Sequence, residues 1–330
     1  MKSLPHRLEK SIGRKRLRRN KASRYPIDQS PLWGLRSIHK LAELIGVPTE
    51  ELEAVCLTPT YNRFCEQLKV DAKPGKAPRQ IQEPIESTLR IHYRLVKHLD
   101  SIQRPTFLHS ATKKRSHVTN ADAHSQSGGA VVLMDIRRFF ESTLYAHVKR
   151  FFFQDLGCSH DVARLLATVC TADGHLPTGS CISPLLSYFA HRKVFEDIAV
   201  ICSEKNVVVT LYVDDLTMSG AHASKTLMHL VKRRIERQGL RTHPKKDQLV
   251  RPGKPAIITG IVRQGNNLRL RNKHHDSIVT EQDLVAWGIG ASPDKLRGLM
   301  ASARSVEPAA ADRLQSRMDR LLQSVDARDT

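Results

Sequence analysis

Two adjacent aspartates stand inside a strongly apolar stretch, and this pair is the first candidate for chemistry. The run VVVTLYVDDLTMSG, residues 207–220, places Asp214 and Asp215 between two strand-like segments, which predicts a tight hairpin with acid at its tip. Two like charges held this close repel each other and raise each other's pKa unless a cation or solvent offsets the field. The pair therefore indicates either a solvated turn, where aspartate is favoured, or a metal site.

A third carboxylate ends a second apolar run. The segment AVVLMDIRRFF, residues 130–140, begins as a buried strand and reaches Asp135. Three carboxylates from two neighbouring strands can hold two divalent ions about 3.5 to 4 Å apart, which activates an attacking hydroxyl and stabilises a departing phosphate oxygen. Mg²⁺ suits such a site because it takes oxygen ligands and phosphates with few protein groups. We therefore expect Asp135, Asp214 and Asp215 to bind two Mg²⁺ ions.

The charge balance points to a polyanionic partner. The 330 residues carry 53 Lys and Arg against 33 Asp and Glu, a formal charge of +20, and nucleic acid is the first candidate. Residues 1–24 hold ten of these cations and a single acid, as a flexible basic arm would. No run approaches the roughly 18 apolar residues of a membrane span, and the six cysteines form no C-x-x-C pair. We expect a cytoplasmic protein that does not enter membranes.

Helical periodicity dominates both ends of the chain. Apolar spacing predicts helices over residues 32–56 and 85–102, and the composition becomes helical and basic beyond Gly265. Within residues 309–325 an apolar stripe runs beside a row of arginines. The stripe consists of Leu314, Met318, Leu321 and Val325, and the row of Arg313, Arg317 and Arg320. The arginine row is either a solvated face or a surface for nucleic acid.

Several motifs together resemble the reverse transcriptases. YVDD, residues 212–215, is similar to that family's catalytic hairpin, and MDIRRFF, residues 134–140, to its strand with the first catalytic aspartate. LPTGSCISP, residues 176–184, and HPKKD, residues 243–247, stand where the family has its L-P-Q-G and lysine motifs. KAPRQIQEP, residues 76–84, resembles the fingers motif. All occur in the family's order.

Two further matches resemble the retron branch of that family. NADAH, residues 120–124, is similar to the retron N-A-x-x-H signature, and ITG, residues 258–260, to the retron V-T-G. The resemblance covers about residues 60–265. It departs from the family pattern at Thr178, where the family has glutamine, and at His243, where many members have asparagine.

The resemblance implies roles on the nucleotide side. Asp135, Asp214 and Asp215 would be catalytic and would carry the metals. Lys76 and Arg79 would meet the triphosphate of an incoming deoxynucleotide, and Thr178 would lie beside that nucleotide. Phe140 would exclude a ribose 2′-hydroxyl, although Phe139 and Phe140 are equally a pair of core residues. Lys246, or its neighbour Lys245, would serve the leaving pyrophosphate, unless both are surface lysines.

The resemblance also implies RNA contacts. Asn120 and His124 would bind RNA, although a capping asparagine and a satisfied core histidine are the alternative. Arg313, Arg317 and Arg320 would contribute a basic surface.

The implied architecture is an α+β right hand. It would comprise a basic N-terminal region (residues 1–58), fingers and a mainly antiparallel palm (59–265), and a short helical thumb (266–330). The implied function is RNA-directed DNA synthesis on a structured noncoding RNA that is both template and primer, giving a branched RNA–DNA hybrid used with an effector protein against phage. Alternatives are another bacterial reverse transcriptase, such as a group II intron type, and a degenerate polymerase fold that binds RNA without copying it.

Overall fold

The computed structural model describes residues 24–57, 61–65, 80–289 and 292–326. Within them the chain combines helices with antiparallel sheets, which confirms the expected α+β class. Most of the basic arm lies outside these residues, and so do Lys76 and Arg79. The expected triphosphate contacts of those two residues therefore remain predictions.

Local sequence signals bound the first helix of the described residues. Ser37 accepts a hydrogen bond from the Lys40 N–H and so caps the first helix, which ends at Gly46 with a left-handed φ of 64°. In chain order the helices are α1 (Ile38–Ile45), α2 (Thr49–Leu57), α3 (Glu86–Asp100), α4 (His117–Asp122), α5 (Phe139–Ser142), α6 (Tyr145–Arg150), α7 (His160–Cys170), α8 (Ser183–Ala190), α9 (Arg192–Glu204), α10 (Lys225–Glu236), α11 (Asn272–Ala286), α12 (Pro293–Val306) and α13 (Pro308–Asp326).

The strands form three antiparallel sheets. They are β1 (Tyr61–Cys65), β2 (Gln80–Pro84), β3 (Ala130–Asp135), β4 (Val208–Tyr212), β5 (Asp215–Gly220), β6 (Gln248–Val250), β7 (Ala256–Ile258), β8 (Ile261–Gln264) and β9 (Asn267–Arg269). Strands β1 and β2 pair with each other, β7, β8 and β9 form a meander, and the remaining four lie in the order β4-β5-β3-β6. We call this four-stranded sheet the acidic sheet. Asp135, the last residue of β3, lies opposite Asp215, the first residue of β5, at one end of these strands.

Strand β3 is covered on both faces, which explains its unbroken apolar sequence. Val132 and Met134 join the main hydrophobic core, while Val131 packs into a second cluster with Ile258 and Ile261 of the β7–β8 hairpin. Successive side chains on a strand point to opposite faces, so this alternation divides β3 between two cores. The continuous apolar run therefore predicted the burial of β3 correctly.

The C-terminal helices α11, α12 and α13 pack around a cluster of their own. Ile278, Ala303 and Leu314 are buried in it, and Met318 of the predicted stripe is also largely buried. The helical composition expected beyond Gly265 is confirmed from α11 onward, but β9 at Asn267–Arg269 pairs with β8 across that point. The meander thus spans the boundary expected at residue 265, because cross-strand hydrogen bonding rather than helical periodicity decides the local structure there.

None of the described helices combines the length with the apolar composition that crossing a bilayer would require.

Candidate active site

The acidic hairpin predicted from YVDD is present, and β3 brings the third acid to it. Tyr212 pairs with Asp215 across a two-residue turn of Val213 and Asp214, and Asp215 in turn lies opposite Asp135. The Ile136 N–H donates to the Asp214 carbonyl oxygen at 2.9 Å, which extends the pairing past the end of β3. The structure therefore collects at one end of the acidic sheet the three residues expected to be catalytic.

The turn itself is backbone that most residues avoid. Val213 has a φ of 57°, in the left-handed region that a β-branched side chain rarely adopts. Strain of this kind persists where the surrounding structure determines the conformation, and it concentrates at functional sites. Here the cross-strand pairing of β4 with β5 on one side, and the contact with Ile136 on the other, hold the turn.

Burial and the neighbouring carboxylates raise the pKa of Asp215. Burial raises the pKa of Asp215 to about 6, with further contributions from Asp214 and Asp135, and the Lys246 ammonium partly opposes these effects. Asp135 is itself only 8% exposed. The site therefore concentrates negative charge in a poorly solvated position, which is costly unless a cation is present.

Lys246 provides such a cation. Its Nζ lies 2.5 Å from Asp135 Oδ2, so of the two candidate lysines Lys246 is the one that the structure places on an acid of the site. The turn that carries it is attached to the same strand, because the His243 N–H donates to the Asp135 carbonyl oxygen at 2.8 Å. The backbone contact does not depend on the side chain of His243, and the departure from asparagine leaves it intact.

A brace behind this turn escaped the sequence analysis. The Thr242 hydroxyl donates to Asp247 Oδ2 at 2.7 Å, and Lys232 Nζ on α10 lies 3.8 Å from the same oxygen. Asp247 belongs to the HPKKD motif, for which the sequence predicted roles for the lysines and a departure at His243. The contact of Asp247 with Lys232 of α10 could not be read from that motif.

The donor set fits Mg²⁺ chemically. Asp135, Asp214 and Asp215 offer carboxylate oxygens alone, the ligands that Mg²⁺ prefers, at a place where negative charge lacks solvent. Among the described residues, no three His, Cys, Asp or Glu side chains already form a group that could hold a metal ion. One of the carboxylate oxygens, Oδ2 of Asp135, is paired with the Lys246 ammonium group.

Replacing Asp215 with asparagine should stabilise the metal-free protein in a pH-dependent way. A carboxyl whose pKa is raised on folding costs stability when it ionises, so the cost is complete above about pH 6 and absent below about pH 4. Because Asp215 is only partly buried, solvent screens part of the effect, and we expect Asp215→Asn to gain about 1 to 2 kcal/mol at pH 7.5. Urea unfolding at pH 7.5 and 4.5 measures this. An equal gain at both pH values would contradict the electrostatic origin.

The two phenylalanines after Asp135 occupy different environments. Phe139 is 4% exposed and packs edge-on against Phe195, with ring centroids 6.0 Å apart, so the core alternative describes Phe139. Phe140 is half-buried and stacks on Phe139 with centroids 6.4 Å apart. Phe140 thus retains an accessible surface near the end of β3, as a gate residue needs, and its gate role remains a prediction.

Thr178 is engaged with the β1–β2 hairpin. Its Oγ1 accepts a hydrogen bond from the Gln82 N–H at 3.3 Å, and the next residue, Gly179, donates its N–H to the Gln82 carbonyl at 3.1 Å. A Cβ on Gly179 would lie 2.9 Å from that carbonyl oxygen, so only glycine allows this approach. Gln82 also donates its side-chain amide to Asp173 Oδ2 at 2.8 Å. Thr178 therefore helps to join the L-P-T-G segment to β2, and a nucleotide contact by it remains a prediction.

The geometry does not suit Asn120 and His124 as direct RNA ligands, because both are 0% exposed. His124 contacts Ser219 Oγ through Nδ1 at 2.6 Å and Thr210 Oγ1 through Nε2 at 2.8 Å, which links α4 to β5 and β4. Burial lowers the pKa of His124 to about 3. The satisfied core histidine that the sequence analysis kept as an alternative describes this residue.

Asn120 connects the two segments that resemble retron signatures. Its Nδ2 donates to Thr259 Oγ1 at 3.4 Å, and that hydroxyl donates to the His117 carbonyl oxygen at 2.9 Å. Thr259, the threonine of ITG, has a φ of 45°, and these contacts hold it in that strained conformation. The NADAH and ITG segments therefore contact each other inside the protein.

The three arginines of α13 differ in their surroundings. Arg317 contacts Gln282 Oε1 at 3.0 Å and Asp283 Oδ1 at 2.6 Å, so it joins α13 to α11. Arg313 Nη2 lies 3.5 Å from Glu307 Oε1 with a largely exposed side chain, and Arg320 is exposed. Arg313 and Arg320 retain the surface position that an RNA contact requires, whereas Arg317 is half-buried in a contact between helices.

Known proteins resemble this chain over different extents. No family model matches it. It is 28% identical over 160 residues to a retron Se72 reverse transcriptase of Salmonella heidelberg, covering 48% of this chain and 41% of that relative. It is 22% identical over 294 residues to a retron Ec86 reverse transcriptase of Escherichia coli, covering 87% and 90% of the two chains. A retron Ec48 reverse transcriptase of Escherichia coli is 25% identical over 199 residues, 56% of this chain and 48% of that relative.

Proposed function

Because this chain belongs to the family of retron reverse transcriptases, we propose that it is an RNA-directed DNA polymerase that copies a structured noncoding RNA into DNA. The single observation that carries the proposal is the meeting of Asp135, Asp214 and Asp215 at the tip of the β4–β5 hairpin, with Lys246 against Asp135. In this proposal the acidic sheet is the palm of a right hand. The β1–β2 hairpin then belongs to the fingers, and α11 to α13 to the thumb.

The three aspartates would hold two Mg²⁺ ions, which when bound would lower the pKa of the attacking hydroxyl and stabilise charge on the departing pyrophosphate. Lys246 would give a proton to the leaving oxygen, a general-acid role open to lysine. The contacts of Thr178 and Gly179 with Gln82 hold the L-P-T-G segment against the fingers strand β2. The nucleotide would enter between these two groups, with Lys76 and Arg79 on its triphosphate.

Exposed cations supply binding to the RNA backbone. Arg313 and Arg320 on α13, together with the basic arm, carry charges that can release counterions from phosphate. By analogy with the family, synthesis would start from a 2′-hydroxyl of the RNA and leave a branched RNA–DNA hybrid, which an effector protein would use in antiphage defence. The enzyme would act in the cytoplasm on deoxynucleoside triphosphates.

The test begins with nucleic acid that copurifies with the protein. Sequencing it should give a single structured RNA joined to DNA complementary to part of that RNA. Purified complex supplied with Mg²⁺ and deoxynucleotides should extend this DNA. A protein that retains the RNA and makes no DNA would instead support the RNA-binding alternative, and copying of unrelated primed templates without a branched product would support another type of reverse transcriptase.

Phe140→Val should weaken the preference for deoxynucleotides. Shortening a side chain beside the sugar opens room for a 2′-hydroxyl, and we expect the ratio of kcat/KM for deoxy- over ribonucleotides to fall by about 10- to 100-fold. Single-nucleotide extension with the two triphosphates measures the ratio.

Phe139→Val is the matched control, because it makes the same substitution in the core. It should lower the free energy of unfolding by about 2 to 4 kcal/mol and, because Phe139 stacks on Phe140, change sugar preference less than Phe140→Val does. If the two variants change sugar preference equally, Phe140 has no special position as a gate.

A further inference from the structure

The contact between Lys246 and Asp135 joins an exposed side chain to a buried one. The carboxylate of Asp135 is 11% exposed, whereas the side chain of Lys246 is 55% exposed. The ion pair therefore joins a largely buried carboxylate to a lysine whose side chain reaches solvent. Within the described residues, Lys246 is the cation that forms an ion pair with Asp135.

The backbone around Lys246 favours this pairing. The Lys246 N–H donates to the His243 carbonyl oxygen at 2.8 Å, and the His243 N–H donates to the Asp135 carbonyl at the same distance. Asp247, which is hydrogen-bonded to Thr242, anchors the far side of the turn. The turn is thus attached to the strand that carries Asp135, so Lys246 reaches the carboxylate without ordering a long independent segment.

An ammonium nitrogen and a divalent cation cannot share this position. Mg²⁺ binds carboxylate oxygens at about 2.0 to 2.1 Å, and Lys246 Nζ lies 2.5 Å from the oxygen that would be its ligand. Two cations on one carboxylate oxygen would repel each other at this separation, because electrostatic energy scales inversely with distance.

We propose that Lys246 is a built-in counter-cation of the acidic site, which holds Asp135 in the metal-free protein and competes with Mg²⁺ for it. This rests on the proposed function in one respect, that the three acids bind metal. Displacement by the metal would free the ammonium group for the phosphates of the substrate. Metal binding at Asp135 would thereby make Lys246 available for catalysis, and this coupling requires both residues.

The pairing also acts on the rest of the site. Without a cation of either kind, three carboxylates would lie together at this end of the sheet, and that of Asp135 is largely buried. The lysine therefore reduces the electrostatic cost of assembling the site before metal binds.

The experiment measures Mg²⁺ binding to nucleic-acid-free protein by isothermal calorimetry and by the Mg²⁺-dependent shift in Tm. Lys246→Met keeps the length of the side chain and removes its charge, so its apparent Kd for Mg²⁺ should fall by about three- to tenfold relative to wild type. Lys246→Arg keeps the charge and should stay within about twofold. Lys245→Met, at the neighbouring lysine, should leave the Kd unchanged.

Asp135→Asn identifies the site, because it should remove most of the Mg²⁺ signal from both wild type and the Lys246→Met background. An equal or weaker Mg²⁺ affinity in Lys246→Met, or the same gain in Lys245→Met, would overturn the proposal. If neither wild type nor Lys246→Met binds Mg²⁺ detectably, the proposal is overturned as well. A DNA synthesis assay is independent of these measurements. If wild type makes no DNA while Lys246→Met binds Mg²⁺ more tightly than wild type, the proposed function is rejected and the counter-cation role of Lys246 is retained.

Discussion

Asp135→Asn and Asp214→Asn are each expected to lower DNA synthesis by at least about 1000-fold while RNA binding survives. Both substitutions preserve the shape of the side chain and remove the charge on which a divalent cation depends. A metal ion contributes several kcal/mol of transition-state stabilisation at such sites, and about 4 kcal/mol corresponds to three orders of magnitude in rate. RNA affinity should come from lysines and arginines elsewhere, because phosphate contacts dominate binding to nucleic acid.

The measurement pairs extension of copurified RNA–DNA with a filter-binding assay on the same preparations. Asp161→Asn is the control, since Asp161 has a largely exposed side chain on α7 and should change neither activity nor affinity. If Asp135→Asn and Asp214→Asn lose RNA affinity together with activity, while their thermal unfolding stays normal, the division between catalytic acids and basic binding surfaces is wrong.

His124→Phe is expected to lower the free energy of unfolding by about 2 to 5 kcal/mol. The ring of phenylalanine fills a similar volume, but it leaves the hydroxyls of Thr210 and Ser219 without their partner in a fully buried position. Each buried polar group that loses its hydrogen bond costs about 1 to 3 kcal/mol. Because Thr210 lies on β4 and Ser219 on β5, the strands that lead into and out of the acidic hairpin should loosen as well.

Chemical denaturation of His124→Phe and His117→Phe makes the comparison. Both histidines lie on or beside α4, but His117 is only partly buried, and its substitution should cost no more than about 0.5 kcal/mol. RNA affinity, measured at a temperature where both variants are folded, tests whether His124 contacts RNA. A His124→Phe protein of normal stability with weakened RNA affinity would show that His124 contacts RNA after all.

The acidic hairpin was readable from sequence because its signals are local. Apolar runs on either side of Asp214 and Asp215 specify two strands, and two residues between Tyr212 and Asp215 leave room only for a tight turn. The burial of β3 followed equally from its continuous apolar residues. Helix α13 and its buried Leu314 followed from the 3.6-residue period.

Pairing between distant segments was decided by the tertiary structure alone. Lys246 and Asp135 are 111 positions apart, and nothing in the pair of lysines at 245 and 246 indicates which of them faces the acid. His124 can be buried because Thr210 of β4 and Ser219 of β5 provide hydroxyl partners for its two ring nitrogens. Similarly, Thr178 meets Gln82 across 96 positions.

The physical reason is the range over which each kind of information acts. Secondary structure reflects the periodicity and turn preferences of neighbouring residues, so a short stretch of sequence is enough to specify it. The partner of a polar group depends on strand register and on which faces pack together, and a shift of one residue in register would turn every side chain to the opposite face. The sequence alone therefore indicated which acids could be catalytic, whereas only the fold determined that Lys246 pairs with Asp135.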